Sequence, residues 1–324
     1  MAEFPRPFNQ PGLYVVSQNT VVSAIDRVVL GHLEQRIGLF QLRQRVAFEA
    51  QGVDETRDLF HRLPVKQVLP RLLRLAGLAD RGLRNALDLQ VTRNRLAVLP
   101  PGSRLSGCTI LHLSDLHLEH FPELIGAVTA AIAPLRYDMC LLTGDFAFRH
   151  NVVDAAVDGV RELHEAITAP TYAILGNHDS IRIVPPLERA GIRFLINEHV
   201  RVETSGGAFL LAGVDDCVHY RASNLERALE GADQDGLTVL MNHAHVEYRE
   251  AADAYLTGHT HGGQICLPGG IPIMSNASAP RRLISGAWRC VAMQGYTSRG
   301  VGASMVRVRF NCRPEIVLHE LVAR

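Results

Sequence analysis

The histidines His259 and His261 stand two apart on a glycine-rich turn, GHTHGGQ at 258–264, directly after a short apolar run. Each imidazole ring has two polar nitrogens that need partners, and a hydrophobic core has little use for a pair of such rings on one turn. Two imidazoles that one loop can bring together indicate a metal site. Such a site needs further ligands from elsewhere in the chain.

Polar side chains follow other apolar runs as well, at the points where we predict strands to end. These runs are CTILHLSD (108–115), YDMCLLTGD (137–145), TYAILGNHD (171–179) and LTVLMNH (237–243). The side chains are Asp115 with His117 two residues later, Asp145, Asn177 with His178 and Asp179, and Asn242 with His243. Because the carboxyl ends of the strands in an α/β sheet share one edge, we expect these residues to converge on one site.

The ligand types narrow the metal chemistry. Carboxylate, imidazole and one amide, with no thiolate, argue against a structural cysteine-type zinc site and suit Mn²⁺, Fe²⁺ or Zn²⁺. Two aspartates, one asparagine and four histidines are too many for a single ion, so we predict two divalent ions that share a bridging carboxylate. Two ions about 3.5–4 Å apart stabilise both the attacking and the leaving oxygen in a displacement at phosphorus.

The motifs SDLH, TGD, GNHD, NH and GHTH occur here in this order, and together they resemble the motif series of the calcineurin-like metallophosphoesterases over roughly residues 108–320. Three stretches are similar to a bacterial branch of that family: GVDD (213–216), GHTHGGQ (258–264) and SRGVG…RFNCRPEI (298–316). This branch includes the YkuE-type phosphoesterases and a UDP-diacylglucosamine pyrophosphatase of the lipid A pathway.

The resemblance implies a role for each motif residue. The implied ligands are Asp115, His117 and His261 for the first metal, Asn177, His243 and His259 for the second, and Asp145 as the bridge. His178 would not be a ligand but would face the phosphate, with Asp179 orienting it. The stretch NHAHVEY offers His245 as an alternative to His243, although the phase of the strand favours His243. Asp215 and Asp216 either line the pocket or turn the chain.

The resemblance also implies the fold, a four-layer α/β/β/α sandwich, and the alternation of apolar runs with helical segments agrees with it. We predict helices at about 122–134 and 152–168, and a strand at VRVRF (306–310) from its alternating pattern. Residues 21–50, with a break near Gly38, and 63–91 have helical periodicity. We therefore divide the chain into a basic helical extension, residues 1–104, and a catalytic domain, residues 105–324, with the boundary at LPPGS.

Composition bears on compartment and partners. The formal net charge is zero, so we expect no nucleic-acid partner. The six cysteines form no CxxC pair, the N-terminus does not resemble a signal peptide, and no apolar run reaches the length of a membrane span, which together predict a soluble cytoplasmic protein. Residues 1–105 carry 15 basic and 9 acidic residues, a net of +6. This segment either packs on the catalytic domain, or contacts the inner membrane or caps an amphiphilic substrate.

These observations lead to three hypotheses for the function, and the first two are hydrolysis reactions. The first is hydrolysis of a phosphodiester or pyrophosphate bond in a lipid- or nucleotide-linked molecule, by attack of a metal-bound hydroxide. The second is a soluble phosphodiesterase that acts on cyclic nucleotides or glycerophosphodiesters. The third, from a different class, is a metal-bound scaffold with little catalysis. The His178–Asp179 pair argues against the scaffold, which would need no such pair beside its metals.

Overall fold

The computed structural model describes residues 31–34, 36–38, 41–42, 45–46, 49, 65–233, 236–245, 252–273 and 280–324. Its strands are β1 Gln90–Leu99, β2 Thr109–Leu113, β3 Met139–Leu142, β4 Thr171–Ala173, β5 Ile192–Phe194, β6 Glu198–Thr204, β7 Gly207–Gly213, β8 Thr238–Met241, β9 Ala254–Thr257, β10 Cys266–Leu267, β11 Ile271–Pro272, β12 Gly286–Cys290, β13 Met293–Thr297 and β14 Glu315–Ala323. The α-helices are α1 Val65–Leu75, α2 Ala79–Leu87, α3 Glu123–Ile132, α4 Val153–Glu165, α5 Val184–Arg189 and α6 Leu225–Ala228, and short 3₁₀ turns cover Ile181–Ile183, His261–Gly263 and Arg281–Leu283.

Two six-stranded sheets form the centre of the fold. The first has the order β1-β14-β2-β3-β4-β5, and its strands β2 to β5 are parallel. The second has the order β12-β13-β9-β8-β7-β6, with β13, β9, β8 and β7 parallel and an antiparallel strand at each edge. Parallel strands buried on both faces require near-continuous apolar sequence, which is the pattern of the runs above.

The apolar side chains of strand β2 pack into buried clusters on both faces of the first sheet. Leu111 and Leu113 point to the face covered by α3 and α4, where Leu124 and Val160 belong to the same buried cluster. Ile110 belongs to the cluster between the sheets. The outer face of the second sheet carries a smaller cluster that includes Ala228 of α6. The order helix, sheet, sheet, helix confirms the predicted four-layer sandwich.

The predicted helices at 122–134 and 152–168 are present as α3 and α4. The periodic segment 21–50 is described only from residue 31 onward and only in part, and its described residues are helical except Gly38, which has φ 81°. Leu33, Ile37 and Leu42 are buried against the first sheet. The apolar face of this segment therefore packs into the main core.

Two predicted elements are wrong. Residues 90–91 lie at the end of a segment predicted to be helical, inside the predicted extension, yet they begin β1, which pairs in parallel with β14 from Gln90↔Glu315 onward. The sheet therefore includes a strand from the N-terminal side of the division drawn after residue 104. VRVRF forms no strand beyond a single bridge at Phe310. Arg309 breaks the alternation, because its guanidinium is buried and donates to the carbonyls of Gly300 and Gly302.

Within the described residues, no helix combines the length and apolar character needed to cross a bilayer. The six cysteines are all free thiols.

Candidate metal centre

The candidate ligands lie just beyond the carboxyl ends of β2, β3, β8 and β9 and in the loop after β4, where the two sheets share one edge of the sandwich. Five of them have left-handed backbone conformations that non-glycine residues seldom adopt. They are Asp115 (φ 54°), His117 (φ 45°), Asp145 (φ 55°), His259 (φ 69°) and His261 (φ 50°). Backbone strain of this kind persists only where the surrounding structure imposes it, and it concentrates at functional sites.

The first ligand group consists of Asp115, His117 and His261, all buried, with one donor atom from each within 4.8 Å of the others. Nε2 of His117 lies 3.2 Å from Nε2 of His261. Oδ1 of Asp115 lies 3.4 Å from the same His261 nitrogen. This is the set implied for the first metal.

The second group consists of Asp145, His243 and His259, also buried. Oδ1 of Asn177 joins them, at 3.1 Å from Nε2 of His243 and 2.8 Å from Nδ1 of His259. Oδ2 of Asp145 lies 3.2 Å from Nε2 of His243 and 3.7 Å from Nε2 of His117. One carboxylate oxygen therefore lies between the two groups, which is the position of a bridging ligand.

The outward nitrogens of two histidines are fixed as hydrogen-bond donors. Nδ1 of His117 donates to the carbonyl of Ala147 at 2.7 Å, and Nδ1 of His243 donates to the carbonyl of Thr143 at 2.7 Å. A carbonyl oxygen only accepts, so the neutral form of each ring carries its lone pair on Nε2, toward the cluster. Such backbone partners commonly set the tautomer of metal-bound histidines.

The electrostatics of the cluster favour cations. Burial lowers the pKa of His117 to about 3 and that of His261 well below its usual value. Burial alone would raise the pKa of Asp145, but the surrounding histidines, His243 first, hold it well below its usual value. Burial would lower the pKa of His243, but the Asp145 carboxylate raises it to about 10. The lone pair on Nε2 of His117 faces Oδ2 of Asp145 at 3.7 Å, and two such acceptors repel one another unless positive charge lies between them, so the residues fit divalent ions.

His178 lies beside the cluster, outside both ligand groups. Its ring meets the ring of His117 edge-on, with the centroids 5.3 Å apart. Its backbone N–H donates to Oδ1 of Asp145 at 2.9 Å, and its Nδ1 donates to the carbonyl of Phe148 at 2.9 Å. Phe148, which the sequence did not single out, thus orients the ring.

Asp179 does not have the predicted contact with the His178 ring. Its two oxygens accept hydrogen bonds from the backbone N–H groups of Asp145, Phe146, Ala147 and Gly176, at 2.8–3.1 Å. The carboxylate is buried and all its contacts there are with the TGD and GNHD loops, so it joins these two loops by their backbones. The prediction that Asp179 orients His178 is corrected accordingly.

The positions of three residues bear on two alternatives that the sequence left open. His245 packs edge-on against the ring of Trp288, with centroids 5.0 Å apart, and belongs to neither ligand group, whereas His243 does. Asp216 accepts from the backbone N–H groups of His219 and Tyr220 at 2.6 Å each, so it turns the chain. Asp215 is buried and forms an ion pair with Arg45.

The N-terminal helical residues contact the loop that carries His178, which agrees with the alternative that this segment packs on the catalytic domain. Arg45 donates to the carbonyl of Asp179 at 2.9 Å. The carboxylate of Glu49 accepts from the hydroxyl of Ser180 at 2.6 Å and from the backbone N–H of Ile181 at 2.7 Å. These residues look like ordinary charged positions of a surface helix, and only the fold reveals their partners.

Comparison with known proteins agrees with this site. Residues 108–263 match the family model described as calcineurin-like phosphoesterase. The metallophosphoesterase YkoQ of Bacillus subtilis is 31% identical over 259 residues, which span 74% of this chain and 92% of YkoQ. The phosphodiesterase YaeI of Escherichia coli is 32% identical over 255 residues, 72% of this chain and 88% of YaeI. YkuE of Bacillus subtilis is 25% identical over 242 residues, 69% of this chain and 82% of YkuE.

The chain belongs to the calcineurin-like metallophosphoesterases. It is a metal-dependent phosphoester hydrolase, a class whose site is a dinuclear divalent metal centre. Its similarity to solved structures is weaker, for example to TT1561 of Thermus thermophilus at 14% identity and a TM-score of 0.40 over 60% of this chain and 91% of that one.

Proposed function

We propose that the chain hydrolyses a phosphodiester or pyrophosphate bond in a lipid- or nucleotide-linked molecule. The observation that supports the reaction is the bridging position of Asp145 between two buried ligand groups, with His178 beside them. Asp115, His117 and His261 would hold one ion, Asn177, His243 and His259 the other, and Asp145 both. The donor set suits Mn²⁺, Fe²⁺ or Zn²⁺.

When bound, the two ions supply an activated water at neutral pH and withdraw charge from the phosphoryl oxygens. His178 acts on the same phosphoryl group. Because its Nδ1 proton is held by the Phe148 carbonyl, a second proton on Nε2 makes the ring an imidazolium. Nε2 then donates to a phosphoryl oxygen or protonates the leaving oxygen. Asp179 holds the two loops that carry Asp145 and His178 at a fixed separation.

An amphiphilic substrate is supported by an exposed apolar surface near the site. We define the lipid-facing surface as Leu72 and Leu75 of α1 together with Leu267, Ile271 and Ile273 of the β10–β11 hairpin, of which Leu75 is 86% exposed and Ile273 58%. The hairpin and α2, the helix that follows α1, both contact the segment 308–311: Asn85 of α2 donates to the carbonyl of Arg309, and Asn311 donates to that of Cys266. The hairpin begins five residues after the ligand His261.

Helix α1 of this surface and the following helix α2 also carry exposed arginines, Arg71, Arg74, Arg81 and Arg84, with Asp80 as the acidic residue among them. Apolar side chains beside a cluster of positive charges fit an anionic bilayer, into which the apolar groups insert while the arginines meet the headgroups. We therefore propose that the chain acts in the cytoplasm, at the inner face of the membrane, on a lipid-linked substrate. The resemblance of GVDD, GHTHGGQ and the stretch 298–316 to a branch that includes a UDP-diacylglucosamine pyrophosphatase supports the same substrate class.

A substrate panel tests this function. The Mn²⁺-loaded protein and a metal-stripped control are given bis-p-nitrophenyl phosphate, p-nitrophenyl phosphate, a cyclic nucleotide and a UDP-linked diacylglucosamine. Metal-dependent cleavage of the UDP-lipid at a kcat/KM well above that of the others is the expected result. Fast cleavage of the cyclic nucleotide or the small diester with the lipid untouched would establish the soluble phosphodiesterase instead. No cleavage of any compound by fully metal-loaded protein would favour the scaffold.

Vesicle binding tests the surface itself. The variant Leu72→Ser/Leu75→Ser should lose sedimentation with vesicles of phosphatidylglycerol and phosphatidylethanolamine, while hydrolysis of bis-p-nitrophenyl phosphate stays unchanged. Val291→Ser is the matched control, because Val291 is 66% exposed on the turn between β12 and β13, which is not part of this surface as defined. Equal loss in both variants, or equal binding to neutral vesicles, would contradict the proposal.

A further inference from the structure

A row of nearly parallel rings lies beside the metal centre and contains His178. In order, the rings belong to His120, Phe148, His178, His150 and His219, with successive centroid distances of 4.3, 5.7, 5.9 and 5.4 Å and interplanar angles of 25°, 14°, 10° and 16°. His178 is thus followed by two further imidazoles, from the loop after β3 and the loop after β7. The metal ligands and the catalytic roles described so far leave His150 and His219 without a function.

His150 is held in a defined orientation. The hydroxyl of Tyr220 lies 2.9 Å from Nδ1 of His150, and the Tyr220 ring stands edge-on to both histidines, at 5.9 Å from His150 and 5.0 Å from His219. Among the described residues, Nε2 of His150 has no hydrogen-bond partner. Burial lowers the pKa of His150 to about 4, so the ring is neutral at physiological pH and has one proton to donate.

Tyr220 is in turn held by the N-terminal helical residues. The guanidinium of Arg45 lies over the Tyr220 ring, 3.8 Å from its centroid. Arg45 is fully buried, pairs with Asp215 two residues after β7, and donates to the carbonyl of Asp179. A buried guanidinium with these three partners cannot move without disturbing the loops that carry His178 and Tyr220. The chain of contacts therefore runs from Arg45 through Tyr220 and His150 to His178.

We propose that His150 contacts substrate, by donating a hydrogen bond from Nε2 to the phosphoryl group next to the attacked phosphorus of a pyrophosphate, and that Tyr220 and Arg45 are positioning residues for it. This rests on the proposed function, in which His178 faces the attacked phosphoryl group. The ring of His150 is the next one along the row, 5.9 Å from His178, within reach of a group bonded to a phosphorus that His178 contacts. When the Tyr220 hydroxyl donates to Nδ1, the single ring proton of His150 resides on Nε2. A charged phosphoryl oxygen forms a stronger hydrogen bond with such a donor than a neutral acceptor does.

A matched pair of substrates distinguishes a contact of His150 with the second phosphoryl group from a general loss of activity. P¹,P²-di(p-nitrophenyl) pyrophosphate differs from bis-p-nitrophenyl phosphate by one phosphoryl group. In the Mn²⁺-loaded full chain, His150→Ala should raise KM for the pyrophosphate about 10-fold, and Tyr220→Phe about 3-fold, with kinetics on the small diester unchanged within twofold. Tyr220→Phe keeps the ring under Arg45 and removes only the hydroxyl, so it retains the packing. Equal losses on both substrates, or none on the pyrophosphate, would overturn the proposal.

Arg45 has a control on the same helical segment. Arg36 pairs with Glu188 and Glu198, each at 2.8 Å, and neither glutamate belongs to the row of rings. Arg45→Met should raise KM for the pyrophosphate relative to the diester, whereas Arg36→Met should lower Tm and leave that ratio unchanged. If both variants change the ratio alike, Arg45 has no positioning role. Calorimetric Kd values for methylenediphosphonate, with inorganic phosphate as the reference, provide a readout without turnover: His150→Ala should weaken the former alone.

The kinetics also distinguish failure of this inference from failure of the proposed function. If the wild-type chain cleaves the diester in a metal-dependent way and does not cleave the pyrophosphate, the role of His150 is refuted and the phosphoesterase reaction stands. If it cleaves neither substrate while holding its metals, the proposed function fails as well.

Discussion

Nδ1 of His178 donates to the carbonyl oxygen of Phe148 at 2.9 Å, which leaves Nε2 as the nitrogen that can exchange a proton with substrate. The ring lies edge-on to the ligand His117 without belonging to either ligand group. This separation of roles distinguishes the residue that acts on the phosphoryl group from those that would hold the ions.

His178→Ala should therefore keep the metals and lose turnover. We expect kcat to fall by about 100- to 1,000-fold, the usual contribution of a positioned proton donor, with metal content per chain unchanged. Metal analysis beside kinetics on bis-p-nitrophenyl phosphate measures both. His164→Ala, which removes a half-buried imidazole from α4, is the control. Loss of metal in His178→Ala would show that His178 is a ligand instead.

Asp145→Asn should empty both positions of the metal centre, because Oδ2 of Asp145 lies near ligand nitrogens of both groups. An amide cannot share one anionic oxygen between two ions, so we expect metal content to fall at both positions and turnover to fall at least about 100-fold. His117→Ala and Asn177→Ala should each reduce metal content and remove most turnover. Asp154→Asn, in the first turn of α4, should change nothing. A variant Asp145→Asn that still binds two ions per chain would refute the bridge.

How much of the fold and of the site can be predicted from the sequence depends on whether neighbouring residues or distant partners decide each conformation. The run TILHL and the polar residues after it predict a buried strand with ligands at its end, because burial on two faces and a functional edge both leave a local pattern. Gln90–Leu99 leaves no such pattern: its pairing with β14, more than 200 positions away, decides its conformation. Arg309 is charged yet fully buried, since its guanidinium donates to the carbonyl of Gly300 and to that of His261, 48 positions away. The contacts of Arg45 and Asp179 were missed for the same reason.

Asp179→Asn tests the corrected role of that carboxylate. Each oxygen accepts two backbone N–H groups, and the amide nitrogen of Asn would present donors to two of them. Two buried N–H groups then lose their acceptors, so the free energy of unfolding should fall by about 2–4 kcal/mol. Urea denaturation of the metal-stripped variant measures this, with Asp158→Asn on the exposed face of α4 as the control. An unchanged unfolding free energy with a shifted pH profile of kcat would instead restore the ring-orienting role.

A buried pair of histidines, His112 and His319, lies between β2 and β14. Nε2 of His319 lies 3.2 Å from Nδ1 of His112, whose Nε2 lies 2.8 Å from the hydroxyl of Thr143. Burial lowers the pKa of His112 to about 3 and that of His319 well below its usual value, so both rings stay neutral in the folded protein. In the unfolded chain each titrates near about 6.5.

Below about pH 6.5 the two histidines therefore bind protons in the unfolded chain but not in the folded chain. The free energy of unfolding falls for this reason as the pH drops from about 6.5 toward 3. Above about pH 7 the pair adds no pH dependence. His319→Gln should reduce the slope of the unfolding free energy against pH in the acidic range by up to about 1.4 kcal/mol per pH unit. The reason is that the unfolded variant binds one proton fewer than the unfolded wild type. Urea denaturation of metal-stripped protein from pH 4 to 8 measures the slope. His199→Gln, a half-buried position on β6, is the control, and an identical slope in His319→Gln and wild type would show that His319 is protonated in the folded state.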